Sequence, residues 1–138
     1  MHTHCTAMGK AMIANLPGEE LDQLIKKHGL PRHNDNTIAS PRKLLQELDK
    51  IRNLQWALSD EEYAIGLRCI AAPIFDQRGR AFAALSVSGT VSQITGDNCA
   101  FFAEKAKQTA STISTRLLSG GTSHVCSSAQ IMDAILVQ

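Results

Sequence analysis

Two serines in the stretch AFAALSVSG (Ala81 to Gly89) are candidates to bind a small polar ligand together. Ser86 and Ser88 are two residues apart, so both side chains point to the same face of a β-strand. The apolar stretch RCIAAPIF (Arg68 to Phe75) precedes them, and a hairpin of the two stretches would put Cys69 beside the serines. Two hydroxyls and a thiol would then form a polar cluster, although the spacing alone favours an ordinary solvated sheet face.

A second candidate site is the start of the stretch HCTAMGKAMIANLP near the N-terminus. Thr6 is a favoured N-cap residue, and the pattern after it predicts a helix from Ala7 to about Asn15. The first backbone N–H groups of a helix point outward and can bind an anion. We therefore predict an anion site at Ala7, Met8 and Gly9, whose small side chains at 7 and 9 would let a ligand approach. A capped helix with small residues for packing is the alternative, which this signal alone favours.

Metal binding and catalysis have weaker support in the sequence. His2, His4 and Cys5 are of the types that bind zinc, but their spacing matches no closed structural site and no fourth ligand is evident. We therefore predict no metal and no other cofactor. The sequence contains no nucleophile elbow, no HExxH and no suitable carboxylate pair, so no catalytic residue is predicted.

A thiol redox enzyme is the alternative function that the cysteines leave open. Cys69 or Cys99 would be the reactive residue, which requires a lowered thiol pKa and access to solvent. The apolar neighbours Ile70 and Ala71 favour burial of Cys69 instead. Four cysteines at irregular spacing, without a CxxC pair, are typical of reduced thiols in the cytoplasm rather than of a disulfide framework.

The composition excludes several classes of protein. The 138 residues have the length of one domain, and no apolar run is long enough to span a membrane. Lys and Arg number 14 against 13 Asp and Glu, whereas a free-standing nucleic-acid-binding domain usually carries a basic surplus. We therefore expect that this chain does not bind DNA by itself.

The elements that position these residues are predicted to be helices packed on a short, mainly antiparallel sheet, an α/β fold of the α+β kind. Pro17 opens a second helix that Gly29 ends, and Ser40-Pro41 opens a third. Thr95 is the predicted cap of a long last helix. Strands are predicted at 56–59, 68–75 and 81–89, with a turn at 76–79 joining the last two. The apolar stripe of the last helix consists of Cys99, Phe102, Ala103, Ala106, Ala110, Ile113 and Leu117.

Several of these residues belong to a longer pattern. The stretch LSDEEYAIGLRCIAAPIFD (Leu58 to Asp76), followed by AFAALSVSG and SQIT, closely resembles the effector-binding domain of the IclR family of bacterial transcription regulators. HCTAMGKAMIANLP resembles the first core helix of that domain, and the resemblance extends from about His4 to Leu118. The residues that fall at the family's spacing are Glu62, Gly66, Cys69, Ala71, Pro73, Asp76, Ser86, Ser88 and Gly89.

The resemblance implies a GAF-like domain that senses a ligand and catalyses nothing, with a curved, mainly antiparallel sheet flanked by helices. The implied effector is a small carboxylate metabolite, such as a 2-oxo acid or a sugar acid. At Ser59 the family often has Asp, and this departure leaves the identity of the effector open. The implied effector-binding residues are Ala7, Met8, Gly9, Ser59, Cys69, Ser86 and Ser88.

The resemblance also implies partners and boundaries. A homo-oligomer, dimer or tetramer, is expected because the family assembles through its effector domains, and DNA is bound only through a winged helix-turn-helix absent from this chain. Residues 1–118 are predicted to be a partial effector-binding domain whose first strands are missing. Residues 119–138 are predicted to be a flexible tail of unknown role. The expected location is the cytoplasm, without membrane contact.

Overall fold

Four helices and three strands make up residues 2–119, the part of the chain that a computed structural model describes. The predicted tail lies outside these residues except for Ser119. The helices are α1 (Ala7–Ile13), α2 (Gly18–His28), α3 (Pro41–Leu54) and α4 (Cys99–Ser119). The strands are β1 (Ala57–Asp60), β2 (Leu67–Phe75) and β3 (Ala81–Thr90), all three between α3 and α4.

The three strands form one antiparallel sheet in the order β1-β2-β3. β2 and β3 make the predicted hairpin, and the amide of Asp76 closes its turn by donating to the carbonyl of Arg80 at 2.9 Å. Gly79 has a φ of 72° in this turn, a conformation that glycine adopts at little cost. The pairing register shifts between Ile74 and Phe75. The predicted α+β class and the antiparallel sheet are confirmed.

One face of the sheet packs against α4. The stripe of alanines on this helix lets it approach the strands closely, as the periodicity predicts. Leu117 departs from the prediction, because it is 56% exposed. The hydroxyl of Ser114 accepts a hydrogen bond from the amide of Phe75, the last residue of β2. Leu117 is three residues further along α4, so it lies beyond the end of that strand. The buried residues of this layer are Ile70, Ala72, Ile74, Ile94, Ala103, Ala106 and Ala110.

The opposite face of the sheet packs against α1, with α2 and α3 behind it. Helix α1 is short, and its small residues bring its backbone close to β2 and β3. An isolated helix of this length is not stable in water, so burial against the sheet must hold it in place. The buried residues of this layer are Ala7, Ala11, Ile13, Ala14, Leu21, Leu44, Leu48, Ile51, Ala57 and Ala71.

Two helix boundaries differ from the predicted ones by more than one residue, and α2 begins at Gly18, one residue after the predicted Pro17. Helix α1 ends at Ile13 instead of about Asn15, and the side-chain amide of Asn15 turns back to donate to the carbonyl of Ala11 at 2.9 Å. Helix α4 begins at Cys99 rather than directly after Thr95. The side chain of Asn98 accepts the amide hydrogen of Thr95, and this turn delays the start of the helix.

Within residues 2–119, no helix combines the length and the hydrophobicity that crossing a membrane requires.

Candidate functional site

A row of polar side chains crosses the sheet on the face that α1 covers. Ser59 on β1 pairs with Cys69 on β2, and Cys69 pairs with Ser88 on β3. Ser86 lies opposite Ala71 in the neighbouring row and points to the same face as Ser88. The predicted proximity of Cys69 to the two serines is therefore confirmed, and it follows from the hairpin register.

Access to this row increases from β1 to β3. Ser59 is 3% exposed, Cys69 and Ser86 are half-buried, and Ser88 is exposed. The hydroxyl of Ser59 donates a hydrogen bond to the carbonyl of Cys5 at 2.9 Å. Its hydrogen thus binds the chain's own backbone and holds the segment before α1 against β1. The end of the row that a ligand could reach lies at β3.

The start of α1 has fewer free N–H groups than the predicted anion site requires. Thr6 is the N-cap, as predicted, and its hydroxyl accepts the amide hydrogen of Gly9 at 3.2 Å. The N–H of Gly9 is therefore not free, and the inclusion of Gly9 among free N–H donors was wrong. A Cβ at Gly9 would clash with the backbone of Thr3, so the glycine makes room for the chain itself rather than for a ligand. Ala7 and Met8 still provide the first N–H groups of the helix.

A buried ion pair that sequence reasoning missed lies beneath α1. Lys10 is fully buried, and its ammonium donates to the carboxylate of Glu62 and to the carbonyl of Leu58, both at 2.5 Å. Glu47 contributes a longer contact at 3.5 Å. The sequence contains one indication that Lys10 is buried: it lies three residues after Ala7 and therefore on the same side of the helix.

Glu62 is incompletely satisfied in this ion pair. Its Oε1 accepts from Lys10, whereas Oε2 is buried without a hydrogen-bond partner among the described residues. Burial raises the pKa of the Glu62 carboxyl, and the neighbouring Lys10 ammonium opposes that shift. An unpaired carboxylate at this position would be costly, so Lys10 is needed to keep Glu62 ionised in the core.

Cys5 and Cys99 are poorly suited to redox chemistry as free thiols. Burial raises the pKa of the Cys5 thiol to about 11 and also raises the pKa of the Cys99 thiol. Little reactive thiolate is present at neutral pH when a thiol pKa is raised. Cys99, one of the two residues named for the redox alternative, therefore has the opposite of the required shift.

The histidines near the N-terminus separate into two environments. His4 is buried, and its Nε2 lies 2.9 Å from the carbonyl oxygen of Pro31. Burial lowers the pKa of the His4 imidazole. His2 instead lies beside His33 of the loop before α3, with 3.0 Å between Nδ1 of His2 and Nε2 of His33. The group of possible metal ligands is thus His2, Cys5 and His33, rather than the set His2, His4 and Cys5 that sequence reasoning considered.

Comparison with known proteins agrees with this architecture. The sequence-family model described as bacterial transcriptional regulator IclR C-terminal matches residues 1–115. The transcriptional repressor IclR of Escherichia coli (strain K12) is 40% identical over 99 residues, which cover 72% of this chain and 36% of the repressor. The crystal structure of IclR from Thermotoga maritima has a TM-score of 0.79 at 36% identity, covering 83% of this chain and 47% of that one.

A third similar structure contains a ligand. It is the inducer-binding domain of a double mutant of PobR from Acinetobacter, in complex with 3-hydroxybenzoic acid. Its TM-score is 0.76 at 27% identity, and the match covers 81% of this chain and 65% of that one.

The chain belongs to the IclR family of bacterial transcriptional regulators and corresponds to the C-terminal domain. It spans less than half the length of the E. coli repressor and of the T. maritima protein. The E. coli relative and a second relative from Klebsiella pneumoniae, the HTH-type transcriptional repressor AllR, are both named repressors, which indicates a family of regulators rather than of enzymes. The predicted family and the predicted lack of a catalytic role are confirmed, and no finding supports the redox alternative.

Proposed function

We propose that this domain binds a small carboxylate effector on the sheet face beneath the start of α1. The observation that carries the proposal is the row of polar groups in which Cys69 pairs with Ser88, next to Ser86 on the same face. Hydroxyl and thiol groups can donate hydrogen bonds to an anion. Because Ser86 and Ser88 are half-buried and exposed, a ligand can reach both without displacing the core.

The start of α1 adds donors to this site. Ala7 and Met8 carry the first N–H groups of the helix, and Met8 packs in the same layer as Cys69. Ser59 contributes by position, since its hydrogen bond to Cys5 fixes where the helix starts. A carboxylate, with its four lone-pair sites, can accept from a hydroxyl and a backbone N–H at once. The acid bound by the PobR domain is of the same chemical class.

The proposed role in regulation is a shift of population. An effector that binds one arrangement of the complete regulator better than another changes the fraction that binds DNA. DNA binding belongs to parts of the regulator outside this chain, acting in the bacterial cytoplasm. The wider proposal therefore covers a DNA-binding repressor or activator, and this domain supplies its effector site.

A thermal-shift screen tests the proposed site. The chain is heated with small 2-oxo acids, sugar acids and aromatic acids, and the midpoint should rise with one class in a concentration-dependent manner. Matched amides or alcohols that lack the carboxylate should have no effect. A shift caused equally by the uncharged analogues would contradict the carboxylate proposal.

The double variant Ser86→Ala/Ser88→Ala locates the effector on the sheet. It should weaken binding of an effector found in the screen by about 1–3 kcal/mol, because a lost hydrogen bond to a charged group costs this much. Isothermal titration of variant and parent measures the difference. Ser111→Ala, on the exposed side of α4, is the control and should bind as the parent does. Unchanged affinity in the double variant would move the site away from β3.

The same strand leads us to propose that the chain is a homo-oligomer. Within the described residues, β3 pairs only with β2, and all ten of its residues are half-buried or exposed. A strand edge of this kind presents unpaired N–H and C=O groups that another copy can bind. Light scattering should give the mass of a dimer or a tetramer, and a monomer at high concentration would contradict the proposal.

A further inference from the structure

Three side chains from two separate parts of the sequence meet where the N-terminal segment contacts the loop before α3. His2 and Cys5 come from this segment, and His33 comes from the loop between α2 and α3. Nδ1 of His2 and Nε2 of His33 are 3.0 Å apart, and all three possible ligand atoms lie within 4.8 Å of one another. No other group of this kind occurs among residues 2–119.

The chemistry of the three atoms is that of a transition-metal site. Imidazole nitrogen and thiolate sulfur are ligands that zinc prefers, at about 2.0–2.3 Å from the ion, which puts ligand atoms roughly 3–4 Å from each other in a tetrahedron. The observed separations need little side-chain movement to reach that arrangement. When no metal is bound, the ring N–H of one of the two histidines can donate to the ring nitrogen of the other.

The surrounding residues hold His33 in place. The hydroxyl of Thr37 accepts the amide hydrogen of His33 at 3.1 Å and donates to the carbonyl of Glu62 at 2.6 Å. The ring of Tyr63 packs against both histidines of the group, 5.3 Å from each ring centroid. The loop that carries His33 is therefore attached to the residues that follow β1.

The N-terminal side of the group is fixed independently. Cys5 is fully buried, and its carbonyl accepts the hydroxyl hydrogen of Ser59. The side chain of His4 contacts the carbonyl of Pro31, so the segment and the loop are joined one residue before Cys5. Ligands held by neighbours in this way lose little freedom when they bind an ion.

We propose that His2, Cys5 and His33 bind one divalent transition-metal ion of the zinc class. Three protein ligands leave a fourth tetrahedral position for water or for another oxygen donor, as in zinc sites that are not closed. The ion would join the segment before α1 to the loop before α3. This site lies outside the polar row of the sheet and does not depend on the proposed effector.

Titration of the metal-free full chain with Zn²⁺ and Co²⁺ tests the proposal. One equivalent of Co²⁺ should bind and give a thiolate-to-metal charge-transfer band together with visible bands of a tetrahedral ion. Cys5→Ser should abolish the charge-transfer band. His33→Gln and His2→Gln should weaken Zn²⁺ binding more than tenfold, because removal of even a supporting group typically costs 10–100-fold.

His28→Gln is the matched control, since His28 is an exposed histidine on α2 away from the group. It should bind Zn²⁺ as tightly as the parent chain does. His2 and His33 are exposed, so their variants remain informative if Cys5→Ser fails to fold. The proposal is overturned if the Co²⁺ complex lacks a thiolate band, or if His33→Gln and His28→Gln bind Zn²⁺ equally well.

Discussion

The variant Lys10→Met is expected to unfold with about 3–5 kcal/mol less free energy than the parent chain. Lys10 is fully buried, and its ammonium is the charged partner of the Glu62 carboxylate. Removing one member of a buried ion pair leaves the other charge uncompensated, which is strongly destabilising. The carbonyl of Leu58 would lose its donor as well. Urea denaturation at neutral pH measures the difference.

The pH dependence identifies Glu62 as the cause. Burial already raises the pKa of Glu62 above its ordinary value, and loss of Lys10 should raise it further. At any pH between the pKa of Glu62 in the unfolded chain and its higher pKa in the folded chain, the folded state binds more protons than the unfolded state. The free energy of unfolding therefore falls as the pH rises through that window. The deficit of Lys10→Met should therefore shrink when the pH is lowered from about 7 to about 5.

Two variants separate this cause from a general effect of the substitution. Lys43→Met, at an exposed position of α3, should change stability by no more than about 0.5 kcal/mol. Adding Glu62→Gln to Lys10→Met removes the buried charge and should restore part of the lost stability. If neither acid nor Glu62→Gln relieves the deficit, the ion pair is not its origin.

The variant Gly9→Ala is expected to lose about 3 kcal/mol, at the upper end of what overpacking usually costs. A Cβ at this position would clash with backbone atoms of Thr3, which cannot move as freely as the end of a side chain. Replacing glycine by alanine inside a helix normally stabilises a protein by roughly 1 kcal/mol. The clash with Thr3 should outweigh this gain, so that the net effect is a loss of stability. Thermal and urea unfolding measure the net change.

Gly18→Ala provides the comparison for Gly9→Ala. Gly18 is the first residue of α2, and nothing lies within 4 Å of a Cβ added there. The substitution should be neutral or stabilise the chain by up to about 1 kcal/mol, because alanine restricts the unfolded chain. If both variants are equally stable, the close approach of Thr3 to α1 is not as the structure describes it.

Local patterns account for the part of the site that the sequence could predict. The position of Cys69 beside Ser88 follows from two alternating strands and a short turn that contains Gly79. The cap at Thr6 follows from residue type and from the helix pattern after it. Both depend on residues that are close in sequence or joined by one hairpin.

The features that could not be predicted depend on contacts between distant residues. A lysine on a helix is normally solvated, and the burial of Lys10 is explained by partners that are distant in sequence, the Glu62 carboxylate and the Leu58 carbonyl. His33 joins His2 through a loop whose conformation no short motif specifies. The role of Gly9 depends on where Thr3 lies, since glycine alone does not show whether its neighbour is a ligand or the chain itself.

The ion pair beneath α1 also constrains the order in which the protein can complete its fold during synthesis. Lys10 and Glu62 are 52 residues apart, so the ammonium leaves the ribosome long before its partner exists. Helix α1 is too short to persist alone, and its burial requires strands that follow it in the chain. Helix α1 is thus completed only after β1 and the segment carrying Glu62 have been made, and until then the unpaired ammonium of Lys10 favours exposure of the helix to water.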